Sequence, residues 1–236
     1  TISVNLAFAL KSLGYVSGIL DADVTGPNVS KMLNIFNDLI YLNEKIIPFE
    51  KSGVKMISAA SILSKGQPLI WHGPLRSKLI NQFLADVEWG NMDFLIADLP
   101  PGAGDEIITI GQEMKPNFAV IVTTPQQVSV IDAERAINMA KQLGIPNIGV
   151  VENMSGFACP HCGAELDIFG YGGGRKLSEE YGVHFLGSVP IDIKVRINGD
   201  NGEPITEESP ECEVSFAFKK IAIKIDLLLK DNQTNN

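Results

Sequence analysis

The chain has 236 residues, a formal net charge of −9 at pH 7 and 45% hydrophobic residues. This length suffices for a sizeable core in one large domain or two small ones, and the acidic balance argues against a general nucleic-acid surface. No apolar run approaches the ~18 residues of a membrane helix, and the N-terminus lacks a signal-peptide pattern. We therefore expect a globular protein without nucleic-acid or membrane partners. Its three cysteines do not make a disulfide framework, which favours a reducing compartment.

Helical and strand patterns alternate along the chain, starting with a helix over residues 2–13. Apolar runs predict strands at residues 16–21, 54–60, 93–99, 118–124, 147–153 and 184–189. Helical patterns lie at residues 75–87, 105–114, 128–143 and 174–181 and again from Phe216, while residues 34–53 resemble an excursion with a hairpin. Strands that are apolar throughout are typical of a mostly parallel sheet covered by helices on both faces. We predict one α/β domain over residues 1–229 and a polar, disordered tail over residues 230–236.

Acidic side chains stand at the ends of two predicted strands. Asp21 and Asp23 follow one of them, and Asp98 ends another just before Leu-Pro-Pro-Gly102. Ligands of such sheets bind beyond the carboxyl ends of the strands, where carboxylates suit magnesium and a glycine N–H suits a phosphate. The alternative is that Asp98 only caps the helix that follows. Two acidic strand ends together favour a nucleotide with magnesium.

A cysteine pair follows the strand predicted at residues 147–153. Cys159 and Cys162 have the spacing that lets two thiolates face one metal, with backbone N–H groups turned toward the sulfurs. Two cysteines are half of a tetrahedral site, and the third, Cys212, is distant in sequence. Either another molecule completes the site or it is not a metal site. From the residues alone, an iron–sulfur cluster, zinc and a redox-active dithiol all stay open.

The sequence resembles a known family from residue 1 to about residue 200. The motifs that carry the resemblance are Thr1-Ile-Ser-Val-Asn-Leu-Ala, Leu20-Asp-Ala-Asp-Val-Thr-Gly-Pro-Asn, Trp71-His-Gly-Pro, Asp98-Leu-Pro-Pro-Gly-Ala-Gly-Asp, Val151-Glu-Asn-Met-Ser-Gly-Phe-x-Cys-Pro-x-Cys-Gly and Gly187-Ser-Val-Pro-Ile-Asp. Each motif is weak alone, but their joint order and spacing is specific. The chain resembles the Mrp/ApbC-type P-loop ATPases that carry iron–sulfur clusters, which are relatives of the MinD and ParA ATPases.

The resemblance implies that ATP and Mg²⁺ bind at the acidic strand ends. Asp23 would position the attacking water, Asp98 would hold magnesium through water, and Gly102 would lie near the γ-phosphate. Thr1 and Asp21 would line the same site. In that family a glycine-rich P-loop ending in Lys-Ser/Thr directly precedes the residue aligned with Thr1. Neither that loop nor the first strand is in the sequence given, and we expect that both were lost from its N-terminus.

The resemblance also implies how the cysteine pair is completed. Cys159 and Cys162, in an insertion over about residues 154–172, would supply two ligands to a [4Fe-4S] cluster that a two-fold homodimer shares. Asn153 would recognise adenine, with the segment around Pro190 packing on the base. The implied function is a scaffold that carries the cluster to apo iron–sulfur proteins, with ATP hydrolysis as a regulator. We expect it in the cytoplasm, or in an organelle if a targeting peptide preceded the sequence.

Two other classes of function remain as alternatives. One is a MinD/ParA-like positioning or regulatory ATPase in which zinc staples the dimer interface. The other is a nucleotide-independent metal-binding module, which a chain that natively begins at Thr1 would favour. Among the remaining motifs, we expect His161 to point away from a bound metal and His72 to shape a loop or a dimer contact. The Gly170–Gly174 run lacks a following Lys-Ser/Thr, and we predict a flexible loop there.

Overall fold

Strands and helices alternate along most of the chain in the computed structural model, which describes residues 1–62, 73–102 and 104–234. The helices are α1 (Ile2–Ser12), α2 (Val29–Leu33), α3 (Gly73–Asp86), α4 (Asp105–Thr109), α5 (Gln127–Gln142), α6 (Gly173–Tyr181), α7 (Ile193–Asn201), α8 (Ile205–Glu208) and α9 (Glu213–Thr234). The strands are β1 (Ser17–Asp21), β2 (Ile40–Leu42), β3 (Lys45–Ile47), β4 (Phe49–Lys51), β5 (Val54–Ser58), β6 (Phe94–Asp98), β7 (Ala119–Thr123), β8 (Ile148–Ala158), β9 (Glu165–Leu166) and β10 (His184–Ile191). Trp71 and His72 lie outside the described residues, so the role expected for His72 stays a prediction. Among the helices of the described ranges, none is long and apolar enough to cross a membrane.

The two larger sheets are mostly parallel, as the apolar strand patterns predict. In the first sheet the strand order is β4–β5–β1–β6, with β4 antiparallel to β5 and the other pairs parallel. In the second sheet β7, β8 and β10 are parallel neighbours in that order, and β9 pairs antiparallel with the end of β8. Strands β2 and β3 form a separate hairpin in the region predicted as an excursion.

Helices cover both faces of the second sheet because β8 is apolar on both sides. Val150 packs in a cluster with residues of α5 and α6, whereas its neighbour Val151 packs with residues of α1, α8 and α9. Successive strand residues point to opposite faces, so this burial confirms the predicted covering by helices. Phe94 of β6 and Val120 of β7 both pack against the same cluster as Val151. The two sheets therefore share a hydrophobic core.

The last helix is longer than the sequence pattern predicts. The composition predicts a disordered tail from residue 230, but α9 continues to Thr234. Lys230 stabilises this end, because its ammonium donates to Asp226 at 2.7 Å one turn earlier and to the Tyr15 hydroxyl at 3.0 Å. The prediction was wrong for residues 230–234, since a polar sequence forms a helix where pairs of this kind tie it down.

Candidate functional site

The pairing of β1 with β6 brings the two acidic strand ends together. Asp21 lies opposite Asp98 in the parallel register. Asp21 is fully buried, and its Oδ2 accepts hydrogen bonds from the Ser58 hydroxyl at 2.8 Å and from the Val29 N–H at 3.3 Å. Burial is the main cause that raises the pKa of Asp21 to about 7; the Ser58 hydrogen bond opposes it and the charge of Asp98 adds to it. Within the described residues, Oδ1 of Asp21 has no hydrogen-bond partner.

The beginning of α1 is directed at the same carboxylates. The hydroxyl of Ser3 donates a hydrogen bond to Oδ1 of Asp98, which is half-buried. Thr1 directly precedes α1, so it lies at the end of the helix from which Ser3 contacts Asp98. We predicted no role for Ser3 from the sequence, although it stands two residues after Thr1 in one of the motifs that carry the resemblance.

Asp23 and Gly102 lie in the loops that leave this edge. Oδ1 of Asp23 accepts hydrogen bonds from the Gly26 N–H at 2.9 Å and the Thr25 hydroxyl at 3.1 Å, so this carboxylate closes its own turn. Gly102 is exposed and has a φ of +98°, a left-handed conformation that favours glycine. No described atom lies within 4 Å of a Cβ built at Gly102. A side chain here would meet no described atom, so the left-handed backbone is what favours glycine.

A buried ion pair anchors the helix that follows this loop. Nη1 of Arg76 in α3 lies 2.5 Å from Oε1 of Glu106 in α4, and the Glu106 side chain is only 2% exposed. Thr109 of α4 also donates to the hydroxyl of Ser77 in α3 at 2.8 Å. These contacts fix α4 on α3 at the far end of the Asp98–Asp105 motif. The sequence pattern did not reveal this pair, because its partners are thirty residues apart.

The two residues expected to bind adenine also come together. Asn153 of β8 pairs with Val189 of β10, next to Pro190, and both Asn153 and Pro190 are half-buried. The β8–β10 register shifts across Pro190, which has no N–H to donate to a ladder. Met154, directly after Asn153, has a φ of +56°. A left-handed backbone at a residue other than glycine is strained, and such residues concentrate at functional sites.

The cysteine pair occupies a knuckle at the end of β8. The Cys159 N–H donates to the carbonyl of Ala164 at 2.9 Å, and the Gly163 N–H donates to the carbonyl of Cys159 at 2.8 Å, which closes a tight turn. Cys162 is exposed and Cys159 is half-buried. Hydrogen bonds from the backbone N–H of His161 first, and then of Cys162, lower the pKa of the Cys159 thiol. The sulfur thus has the N–H donors that the spacing predicts, and its thiolate is favoured.

The described part of the chain offers the pair no further ligand. No group of three or more His, Cys, Asp and Glu side chains there could hold a metal ion. His161 is exposed, as predicted. Cys212 caps α9 instead, since it accepts from the Ser215 N–H at 3.4 Å. A metal bound by Cys159 and Cys162 with four protein ligands would therefore need ligands from outside the described residues of this chain.

The glycine run after the knuckle packs closely where it enters α6. Gly173 begins α6, and a Cβ on it would lie 2.5 Å from the carbonyl oxygen of Pro125. A Cβ on Gly174 would lie 3.1 Å from Cγ2 of Thr123 and from Cβ of Glu152. Close packing of α6 against these residues therefore explains this part of the run. Glu152, to which the sequence assigned no role, is buried beneath it.

The fold and the acidic strand ends define the class of P-loop NTPases to which MinD and ParA belong. A nucleotide-binding protein in complex with ADP from Archaeoglobus fulgidus is similar over 92% of this chain and 85% of its own, with a TM-score of 0.78 and 34% identity. The MinD cell division protein of Aquifex aeolicus has a TM-score of 0.67 over 95% of this chain and 89% of its own. At 20% identity, that second likeness shows the fold alone.

Sequence comparison narrows the class to a family. A family model described as ParA, NUBPL iron-transfer P-loop NTPase, matches residues 1–226, and the chain belongs to this family. A relative from Pyrococcus horikoshii named iron-sulfur cluster carrier protein is 45% identical over 98% of this chain and 82% of its own length. A protein of the same name from Methanocaldococcus jannaschii is 48% identical over 95% of this chain and 78% of its own. The resemblance found in the motifs is thereby confirmed.

Proposed function

We propose that the chain is an iron–sulfur cluster carrier that holds its cargo between two copies of itself and passes it to apo-proteins. The observation that carries the proposal is the knuckle, where Cys162 is exposed, Cys159 is half-buried and N–H groups stabilise a thiolate. Two copies together supply four thiolates, the usual number for a [4Fe-4S] cluster. A cluster held by only two thiolates per chain is released when one interface opens. This gives a carrier a simple route to transfer.

ATP with Mg²⁺ fits the acidic edge as a regulator. Asp98 would hold Mg²⁺ through water and Asp23 would orient the attacking water. The unpartnered buried oxygen of Asp21 supports this fit, because an acceptor left without a partner suits an ordered water or a cation. The N–H of Gly102 would face the γ-phosphate, with Thr1 lining the same site. Bound magnesium would supply charge neutralisation for phosphoryl transfer to water.

The adenine would bind at the end of the second sheet. The pairing of β8 with β10 supports this, since it puts Asn153 opposite Val189, the residue directly before Pro190. Among the described residues, β6 and β7 each pair with a strand on one side only, and Val122 of β7 is 44% exposed. These open edges support the proposal that the first strand of the family, with its P-loop, precedes Thr1. The phosphate-binding lysine and N–H groups would lie there.

Metal analysis tests the carrier proposal. Chain purified and reconstituted without oxygen is assayed for iron, sulfide and zinc, beside Cys159→Ala and a matched control, Cys212→Ala. We expect about two irons and two sulfides per chain in the wild type and the control, and none in Cys159→Ala. About half a zinc per chain with no iron would overturn the proposal and make the knuckle a structural staple.

A second measurement tests the regulation by nucleotide. A chain extended upstream by the first strand and P-loop proposed above is loaded with cluster and mixed with an apo iron–sulfur protein, with and without ATP and Mg²⁺. We expect nucleotide to change both cluster retention and the rate of transfer, through loops that carry Asp23 and Gly102. If neither quantity changes, the coupling is wrong even where the cluster itself is confirmed.

A further inference from the structure

Glu152 is a buried carboxylate in an otherwise apolar strand. It lies in β8 directly after Val150 and Val151, and it is 1% exposed. A charged group so placed is costly unless hydrogen bonds or opposite charges compensate for it. No described residue forms an ion pair with Glu152, and Arg175, the cation nearest to the glycine run in sequence, lies over the Phe185 ring at 4.4 Å. The compensation must therefore come from neutral donors.

Three donors from both sides of the cysteine pair surround this carboxylate. The hydroxyl of Ser155, which precedes the pair, donates to Oε1 at 2.6 Å. The N–H of Gly172, which follows the pair, donates to the same Oε1 at 3.0 Å, and the N–H of Gly174 donates to Oε2 at 2.6 Å. One oxygen thus joins both ends of the segment 155–172. We call Glu152 and these three donors the Glu152 clamp.

The chemistry of the clamp favours a carboxylate at this position. Because all three partners are donors, a glutamine would turn an NH₂ group toward at least one of them. Gly174 also lies in the first turn of α6, where free N–H groups and the helix dipole stabilise a negative charge. The N-terminus of α6 is therefore filled by a side chain of this protein, and it is not a vacant anion site.

The backbone beside the clamp is held in unusual conformations. Met154 has a φ of +56° and Gly156 a φ of +81°. A Cβ on Gly156 would lie 2.7 Å from the Tyr171 ring, so the outgoing and returning parts of the segment touch at this point. The hydrogen bond between Ser155 and Glu152 spans the strained residue. Strain of this kind persists only where surrounding contacts determine the backbone.

We propose that Glu152 is the positioning residue for the cysteine pair. The clamp fixes both ends of the segment 155–172 on the end of β8, so that Cys159 and Cys162 present their thiolates to a second chain in one orientation. The inference rests on the proposed function, because it names the group that holds that function's metal-binding pair in place.

Ser155→Ala tests the clamp with little risk to folding, because it removes one donor and leaves the carboxylate bonded to two N–H groups. Ser178→Ala is the matched control: it deletes a buried hydroxyl of α6 that donates to the Arg175 carbonyl at 2.7 Å and does not touch Glu152. Amide hydrogen exchange is measured on the metal-free chain. In Ser155→Ala we expect exchange about tenfold faster at the Cys159, Gly163 and Gly172 amides, the effect of one hydrogen bond to a charged group.

Zinc alone serves as the second probe, in a titration that reads its affinity for the cysteine pair. We expect about tenfold weaker zinc binding in Ser155→Ala than in Ser178→Ala. Faster exchange confined to residues 154–156, or equal changes in both variants, would overturn the proposal. A wild type that binds neither zinc nor iron would instead overturn the carrier function, and the exchange at Cys159 and Gly163 would still decide the role of the clamp.

Discussion

Asp21 is the residue whose ionisation differs most plainly between the folded and unfolded chain. Its pKa is raised to about 7 from the ordinary value of 3.8, chiefly by burial. Between these values the folded state binds more protons than the unfolded state, so the free energy of unfolding falls as the pH rises. One such group contributes a slope of at most about 1.4 kcal/mol per pH unit. Asp21 therefore costs stability at neutral pH, as residues at ligand sites do.

Replacing Asp21 tests whether its ionisation lowers the free energy of unfolding as the pH rises. Urea unfolding without divalent cations is compared at about pH 5 and about pH 7.5 for the wild type, Asp21→Asn and the exposed control Asp38→Asn. We expect the wild type and Asp38→Asn to lose stability between the two values, and Asp21→Asn to lose clearly less. Equal losses in all three proteins would mean that Asp21 is ionised equally in the folded and unfolded states.

Cys159 gives a second prediction at the residue scale. Its thiol pKa is lowered first by the backbone N–H of His161, so removing that N–H should raise the pKa. His161→Pro deletes the donor, whereas His161→Ala changes the side chain and keeps the N–H. Alkylation of Cys159 is followed by mass spectrometry as a function of pH. We expect the midpoint to move to higher pH in His161→Pro alone; a shift in both variants would assign the effect to the imidazole.

At the scale of elements, the ion pair between α3 and α4 positions the loop that carries Gly102. Arg76→Met leaves the buried Glu106 charge without its partner, and we expect a loss of about 3 kcal/mol. Adding Glu106→Gln should restore much of it, because the uncompensated charge is removed. Urea unfolding of the wild type, the two single variants and the double variant gives the double-mutant cycle. The exposed pair Arg135–Asp132 is the control, and Arg135→Met should cost less than about 0.5 kcal/mol. Similar costs for both arginines would contradict the argument.

The strands were the elements most readily predicted from the sequence. Apolar runs located β1, β5, β6, β7, β8 and β10, since burial on both faces leaves few polar residues in a parallel strand. Helix α7 was missed although Asp192 caps it and Gly202 ends it with a φ of +77°. None of its residues is fully buried, so it lacks the apolar periodicity on which helix prediction depends.

Residues of the candidate site could be predicted where a motif stands at the end of a strand. They could not be predicted where their role depends on contacts with residues distant in sequence. Asp21, Asp98 and the cysteine pair followed from strand ends and spacing. Glu152 did not, because a lone acidic residue in an apolar run carries no pattern until its donors at residues 172 and 174 are known. The close packing of Gly173 and Gly174 was not predicted for the same reason: composition shows conformational freedom, whereas close packing depends on what lies opposite.

At the scale of the whole molecule, the two halves of the site lie on different sheets. The carboxylates end the first sheet and the cysteine pair leaves the second, but Phe94 and Val120 pack on the same core. The two sheets are therefore in contact, and a coupling between their edges would also need an element with two arrangements that both ligands bias. Any coupling between nucleotide and cluster must also be reciprocal: the factor by which ATP changes cluster affinity is the factor by which the cluster changes ATP affinity.

The oligomeric state is the property of the whole molecule that follows most directly from the knuckle. Two neighbouring thiols per chain, one exposed and one half-buried, with no further ligand among the described residues, predict that a shared metal draws two chains together. Sedimentation of metal-free and cluster-loaded chain without oxygen measures this directly. In the wild type and in Cys212→Ala we expect the mass to double when the cluster is loaded and to return to that of one chain when a chelator removes it. In Cys159→Ala we expect the mass to stay that of one chain. Loaded chain that sediments as a monomer would show that small molecules complete the site. A dimer that forms equally without metal would show that the interface does not depend on the cysteine pair. The cluster would then bind to a dimer that already exists.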